Sequence, residues 1–300
     1  MVLKGVKAEL ASPLLWRDVL CELVGTFFLV AGHTAVGLTL DSSSPVTPVA
    51  VAVASGFTVY VIIDSLEHLS GGFINPVVSV SMGFARVVSP IKAFLCAISN
   101  CIGGLAGAAL IYWTTPPVFR TQIKPLQLHP DVPVWRGVVI EFQTAALLLF
   151  VAAAVFDRKH RTLRTPALAI GFTVTANVLT FGKYTGAAMN PACLLGTATV
   201  SGIWTNHWVY WVGPMSGGVA GACLYTYVFA LLTSKFSKTT EKQRLEGIHM
   251  LLDSAQQLAA LPERDMYVKH GLEKLGRDHK ENGKADSIQL LHRDPNDNGV

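Results

Sequence analysis

The sequence predicts an all-α integral membrane protein: six transmembrane helices plus two re-entrant half-helices, set out as an inverted repeat. Three observations predict it. The chain has 300 residues, of which 51% are hydrophobic and only 15% charged; its mean hydropathy is +0.42, and a soluble domain carries nearer to about 25% charge. Two short runs, 70–83 (SGGFINPVVSVSMG) and 185–198 (TGAAMNPACLLGTA), each set Asn-Pro before a few apolar residues. Neither run reaches the roughly 20 residues that a bilayer demands. Landmarks around the two runs recur at matching distances, so the chain reads as two copies of one unit.

In chain order, a polar N-terminus (1–18) precedes a channel-like domain (19–233) and a polar tail (234–300). Apolar windows of membrane type lie at about 19–40, 46–64, 91–112, 134–156, 166–182 and 207–233. The first repeat covers about 19–112 and the second about 134–233. The Asn-Pro runs fall between the second and third windows and between the fifth and sixth. Pro76 and Pro191 suit the first turn of a helix, where the missing N–H costs nothing. Asn75 and Asn190 then stand at the mouths of these short helices with their amides free to project.

The register of the repeat is explicit. Gly56-Phe57-Thr58-Val59 starts 19 residues before Asn75, and Gly171-Phe172-Thr173-Val174 starts 19 before Asn190. GGLAGA begins 28 residues after Asn75, and GGVAGA 27 after Asn190. An odd number of spans per copy inverts the second copy, so the short helices enter from opposite faces. Such short helices in matching halves are the best sequence pointer to a solute site. The Gly/Ala runs read as seams where helices approach closely. Glu22 and Glu141 sit within early spans of the two copies. A proton relay is one reading; carboxylates that accept loop N–H groups near the short helices are the favoured one, because relay groups are seldom duplicated symmetrically.

Charge places the ends. Arg158, Lys159, Arg161 and Arg164 form the densest basic cluster of the apolar part, which puts that loop and both termini on the cytoplasmic side. Arg120 and Lys124, on the opposite loop, argue weakly against this. Residues 234–300 hold 11 Lys/Arg and 11 Asp/Glu, so the net +4 belongs to the membrane part. That charge is too small and scattered for nucleic acid. The first 20 residues lack a basic region, apolar core and cleavage site, so no signal peptide is expected. Five cysteines without paired extracellular spacing predict no disulfide framework. No nucleophile–base or metal-ligand set has usable spacing, so neither an enzyme nor a cofactor is expected. In the tail, 241–261 carries an apolar helical stripe that Pro262 would end, suited to a membrane surface or a protein partner. Residues 294–300 read as disordered.

The chain resembles the aquaporin, or major intrinsic protein, family. The likeness runs over nearly all of 16–233 and is strongest at 68–78, 185–191 and 201–213. It implies six tilted helices around one pore per subunit, a homotetramer in the bilayer, and water or small neutral solutes as cargo. The pore centre it implies is Asn75, Pro76, Val77, Asn190, Pro191 and Ala192. Val77 stands where the family usually has Ala, and the two extra methyl groups should be tolerated with repacking. Distances from the motifs carry the outer constriction onto Ser55, Val178, Ala187 and Cys193. The family's usual Arg is Cys193 here, and the usual aromatic and His are Ser55 and Val178, which makes a wide, uncharged ring. The variant first motif also resembles the unorthodox branch, often found on internal membranes, so the plasma membrane and an intracellular membrane both stay open.

A passive channel for water and small neutral solutes such as glycerol, urea, ammonia and hydrogen peroxide is the leading function. The alternative is a structural or adhesive membrane protein of this fold that conducts little. His33 and His68, lacking a carboxylate partner, read as packed or loop residues rather than pH sensors. His207 and Trp208, at the start of a span, suit an interfacial anchor.

Overall fold

Proline sets the helix starts. In the computed structural model, which describes residues 2–40, 45–157, 165–259, 270–271 and 273–274, six helices begin with Pro directly after Ser, Thr or Asn. Such a pair combines a pre-set φ with a side chain able to take an orphan N–H. Thr47 Oγ1 accepts from Ala50 N at 3.2 Å, and Ser89 Oγ from Lys92 N at 3.1 Å. The helices are α1 (Val2–Leu10), α2 (Pro13–Val36), α3 (Pro48–Leu66), α4 (Pro76–Phe84), α5 (Pro90–Thr114), α6 (Val134–Phe156), α7 (Pro166–Thr185), α8 (Pro191–Ser201), α9 (Val209–Cys223) and α10 (Leu231–Ala259). A 3-10 turn, Pro117–Gln122, precedes α6, and a π-helical segment, Leu224–Ala230, joins α9 to α10. No strand occurs among the described residues.

Two expectations need correction. The first span begins at Pro13 rather than near residue 19, because a hydropathy window finds the apolar middle of a helix while the Ser12-Pro13 cap sets its end. The tail helix is no separate 241–261 segment: it continues unbroken from Leu231, since 234–240 contains neither Gly nor Pro to stop it. Residues 260–262 and 294–300 lie outside the described residues, as does the basic cluster 158–164.

The chain divides into two compact units, Met1–Thr233 and Ser234–Val300. In the first, α2 packs on α5, α6 on α9 and α3 on α7, with the short helices α4 and α8 held among them. The seams are glycines. A Cβ on Gly103 or Gly107 would lie 2.4 Å from the carbonyl oxygens of Leu23 and Phe27 on α2. A Cβ on Gly217 or Gly221 would lie 2.0 or 2.1 Å from those of Phe142 and Ala146 on α6. The two GFTV glycines meet each other: a Cβ on Gly56 would fall 2.5 Å from Gly171 O, and one on Gly171 2.7 Å from Gly56 O. The copies therefore join at the residues that mark their register.

Among the described residues, five helical stretches are long and apolar enough to cross a membrane: α2, α3, α5, α6 and the continuous run Val209–Thr233. α7 has 20 residues but falls outside that set, because its sequence includes Asn177 and Lys183. At 9 and 11 residues, α4 and α8 are half-length. Outward-facing apolar side chains (Leu20, Phe28, Phe57, Phe94, Val139) cover the exterior, and Trp16, Trp113, Trp135, Trp204 and Trp208 are exposed near helix ends, the places where aromatic belts form. Within the second unit, Leu245, Ile248, Leu251 and Leu252 of α10 are exposed.

Candidate pore between two half-helices

The carboxylates of Glu22 and Glu141 organise the two loops that lead into the short helices. Both are fully buried. Glu22 Oε1 accepts from Ser70 Oγ at 2.7 Å and Phe73 N at 2.9 Å; Oε2 accepts from Ile74 N at 2.5 Å and Asn100 Nδ2 at 3.1 Å. Glu141 Oε1 accepts from Thr185 Oγ1 at 2.6 Å and Ala188 N at 3.0 Å, and Oε2 from Met189 N at 3.1 Å. Irregular backbone at membrane depth requires such partners, because no water is there to supply them. Ser70 and Thr185, each five residues before its Asn, also accept from the backbone two residues on, Gly72 N and Ala187 N. Ser70 and Thr185 open the two Asn-Pro runs, so a hydroxyl at the same place in each copy is the sequence signal of this brace.

The loops turn sharply enough to hold three non-glycine residues in the left-handed region, Ile74 at φ 46°, Ala187 at 50° and Met189 at 53°. That conformation is costly for a branched residue such as Ile, and the Glu22 bond to Ile74 N helps to hold it. Its effect is to turn the Ile74 and Met189 carbonyls inward. Asn75 Nδ2 donates to Met189 O at 3.0 Å, and Asn190 Nδ2 donates to Ile74 O at 3.0 Å. Each Oδ1 caps its own helix, from Val77 N at 2.8 Å and Ala192 N at 3.0 Å. An amide has two N–H donors, so each Asn keeps one uncommitted.

Those two asparagines line a cavity of ≈ 40 Å³ together with Leu29, His33, Val59, Val78, Val174 and Met189. By the same measure one water needs about 10–15 Å³, which makes room for a file of a few molecules. Phe73 and Phe156 also line it and meet edge-to-face at 6.1 Å. The other motif residues face elsewhere. Pro76 and Pro191 are buried at the helix starts. Val77 and Ala192 are 0% exposed and point at glycines: a Cβ on Gly218 would lie 2.4 Å from Val77 Cγ1, and one on Gly104 2.5 Å from Ala192 O.

Of the four positions assigned to the constriction, Ser55 and Cys193 come together around a residue the sequence reading set aside. His33 Nε2 lies 3.4 Å from Ser55 O, and its Nδ1 lies 3.6 Å from Cys193 Sγ. Ala187 is buried in the core cluster against which Val178 packs. His33 is more than a packed residue, since it also lines the cavity; no local pattern marks it, because its partners are 22 and 160 positions away. His68 sits in the turn after α3. His207 lies just before α9 and accepts from Trp211 Nε1 at 3.0 Å through Nε2, and burial lowers its pKa.

Comparison with known proteins places this arrangement. The profile of the major intrinsic protein family matches residues 9–225. Aquaporin-4 of Mus musculus is 32% identical over 292 residues, covering 92% of this chain and 88% of that protein. The lens fiber major intrinsic protein of Homo sapiens is 36% identical over 222 residues, covering 73% and 84%. The X-ray structure of the aquaglyceroporin from Plasmodium falciparum superposes with a TM-score of 0.62 over 73% of this chain and 99% of that one; at 19% identity it speaks for the fold alone. The chain belongs to the major intrinsic protein family, whose members are non-enzymatic integral membrane channels for water or small solutes.

Proposed function

We infer that this chain is a passive channel for water and small neutral solutes, including glycerol, urea, ammonia and hydrogen peroxide, whose centre is the pair Asn75 and Asn190. The reciprocal bonds Asn75 Nδ2 to Met189 O and Asn190 Nδ2 to Ile74 O carry this reading. They fix both amides, so each offers one N–H to a passing oxygen at an unchanging position. Apolar walls on either side neither hold nor orient the file. The positive ends of the α4 and α8 dipoles face the same point, which disfavours cations and protons.

Ser55, Val178, Ala187 and Cys193, with His33, form the outer constriction in this reading. No guanidinium stands there, so size exclusion is loose and glycerol or urea accompanies water. Both termini and the 158–164 loop are cytoplasmic, and four copies assemble in a plasma or intracellular membrane.

Stopped-flow swelling of proteoliposomes holding the full chain tests the centre. Asn190→Asp keeps the capping oxygen while removing both donors and adding negative charge. Water flux should fall severalfold while the protein stays folded. Wild-type flux equal to that of empty vesicles would favour the structural alternative.

A further inference from the structure

We propose that His33 and Cys193 form a chelating site for a tetrahedral d10 divalent cation, Zn²⁺ or Cd²⁺, which plugs the water file. The site depends on the pore reading above only for its consequence on flux.

The imidazole is oriented for it. A carbonyl oxygen can only accept, so the 3.4 Å approach of Nε2 to Ser55 O assigns the ring proton to Nε2. Nδ1 then carries the lone pair, and it faces Cys193 Sγ at 3.6 Å. A ligand His that donates its other N–H to a backbone carbonyl is the usual outer-shell arrangement of metal sites. The separation also fits. Bonds of about 2.3 Å to sulfur and about 2.05 Å to nitrogen, meeting at a tetrahedral angle, hold S and N about 3.6 Å apart. A linear two-coordinate cation would hold the two atoms about 4.3 Å apart, so the separation matches tetrahedral zinc more closely.

Among the described residues no group of three or more His, Cys, Asp or Glu could hold a metal, so water from the file completes the coordination. Binding replaces the thiol proton: the S–H bond breaks, sulfur donates to the metal, and the proton leaves to solvent. The thiolate formed in the first turn of α8 supplies the negative charge that offsets the half-helix dipole. His33 lines the same cavity as Asn75 and Asn190, and a bound ion with its waters therefore occludes the path.

Titration of the detergent-purified full chain with Co²⁺, the spectroscopic stand-in for Zn²⁺, tests the site directly. A thiolate-to-cobalt band should grow in and be abolished by Zn²⁺. Cys193→Ser should lose the band although Cys21, Cys96, Cys101 and Cys223 remain, and His33→Gln should weaken binding roughly 10-fold or more. In the wild type, Zn²⁺ should shield Cys193 from a small methanethiosulfonate reagent, read by mass spectrometry, which keeps the test independent of how the variants fold. A band that persists in Cys193→Ser, or a Cys193 labelled equally with and without Zn²⁺, overturns the site. Zn²⁺ should slow swelling of wild-type vesicles; binding without slowing overturns the placement in the file. A chain that binds cobalt yet conducts no water overturns the channel reading and leaves the site standing.

Discussion

The two loop-and-half-helix units present the same polar geometry to the cavity and are braced differently behind it. In the first, side chains do the bracing. Asn100 donates to Glu22 Oε2 at 3.1 Å and Thr26 Oγ1 at 2.9 Å, and accepts from Ser79 Oγ at 2.7 Å, tying α2, α4 and α5 together. The second copy has Pro214 at the matching place, three before its Gly-Gly, and combines other side chains with a backbone approach: Asn177 Nδ2 donates to Thr144 O at 3.0 Å. The α8 main chain rests directly on Gly104, and Tyr210 OH donates to Thr185 O at 2.8 Å. At α4 the corresponding approach is made by the Val77 side chain against Gly218. Val77 in place of the family's Ala thus fills the standoff between α4 and α9 and leaves the cavity lining untouched.

Replacing the buried carboxylates sharpens this contrast most. In Glu22→Gln, either amide orientation turns an NH2 toward two donors, because each oxygen accepts two bonds. In Glu141→Gln the NH2 can take the Oε2 side and meets only Met189 N. Charged hydrogen bonds are worth about 1.5–3 kcal/mol each, so the first substitution should cost about 3–6 kcal/mol and the second about half that. Thermal unfolding in detergent measures both; equal losses would mean that the two supports are equivalent.

Glycine substitutions break the comparison next. Gly104→Ala drives a methyl group into the Ala192 carbonyl, which cannot step aside, and should cost about 3 kcal/mol. Gly218→Ala meets the Val77 methyl instead and should cost about 1–2 kcal/mol. Val77→Ala combined with Gly218→Ala should recover part of that loss through a favourable coupling of about 0.5–1 kcal/mol, whereas Ala192→Gly should not rescue Gly104→Ala. Strictly additive effects at 77 and 218 would show that the two side chains do not meet.

The polar braces give the smaller effects. Asn100→Ala strands Ser79 and removes one donor from Glu22, for about 2 kcal/mol. Tyr210→Phe loses one neutral bond, for about 1 kcal/mol. If the order reverses, the second unit leans on its hydroxyl more than on its backbone contact.

Much of this was legible in the residues. Apolar windows located the helices, Ser/Thr/Asn-Pro pairs explain where they start, and the 19-residue spacing of GFTV to each Asn marked two glycines that the fold brings face to face. The first span was begun too late where hydropathy was used without the Ser12-Pro13 cap. The tail helix was begun too late because its apolar stripe starts well after Leu231, where no Gly or Pro interrupts the helix. Of the Glu22 partners, Phe73 and Ile74 lie in the first Asn-Pro run itself, while Asn100 belongs to another helix and carries no signal, having no copy in the second half.

Sequence alone determined the apolar spans and the two half-helices, their order and their internal duplication, since these follow from local hydropathy, proline geometry and the spacing of small residues. It did not mark α1 within the polar N-terminus. Tertiary structure alone decided which side chains meet. Val77 could face the cavity or a neighbouring helix, and only the position of Gly218 on α9 settles it. His33 reaches Cys193 across 160 residues, a contact created by two helices of opposite repeats packing at one level. Local rules constrain a residue through its near neighbours in the chain, and a site between inverted halves is built from partners on different elements.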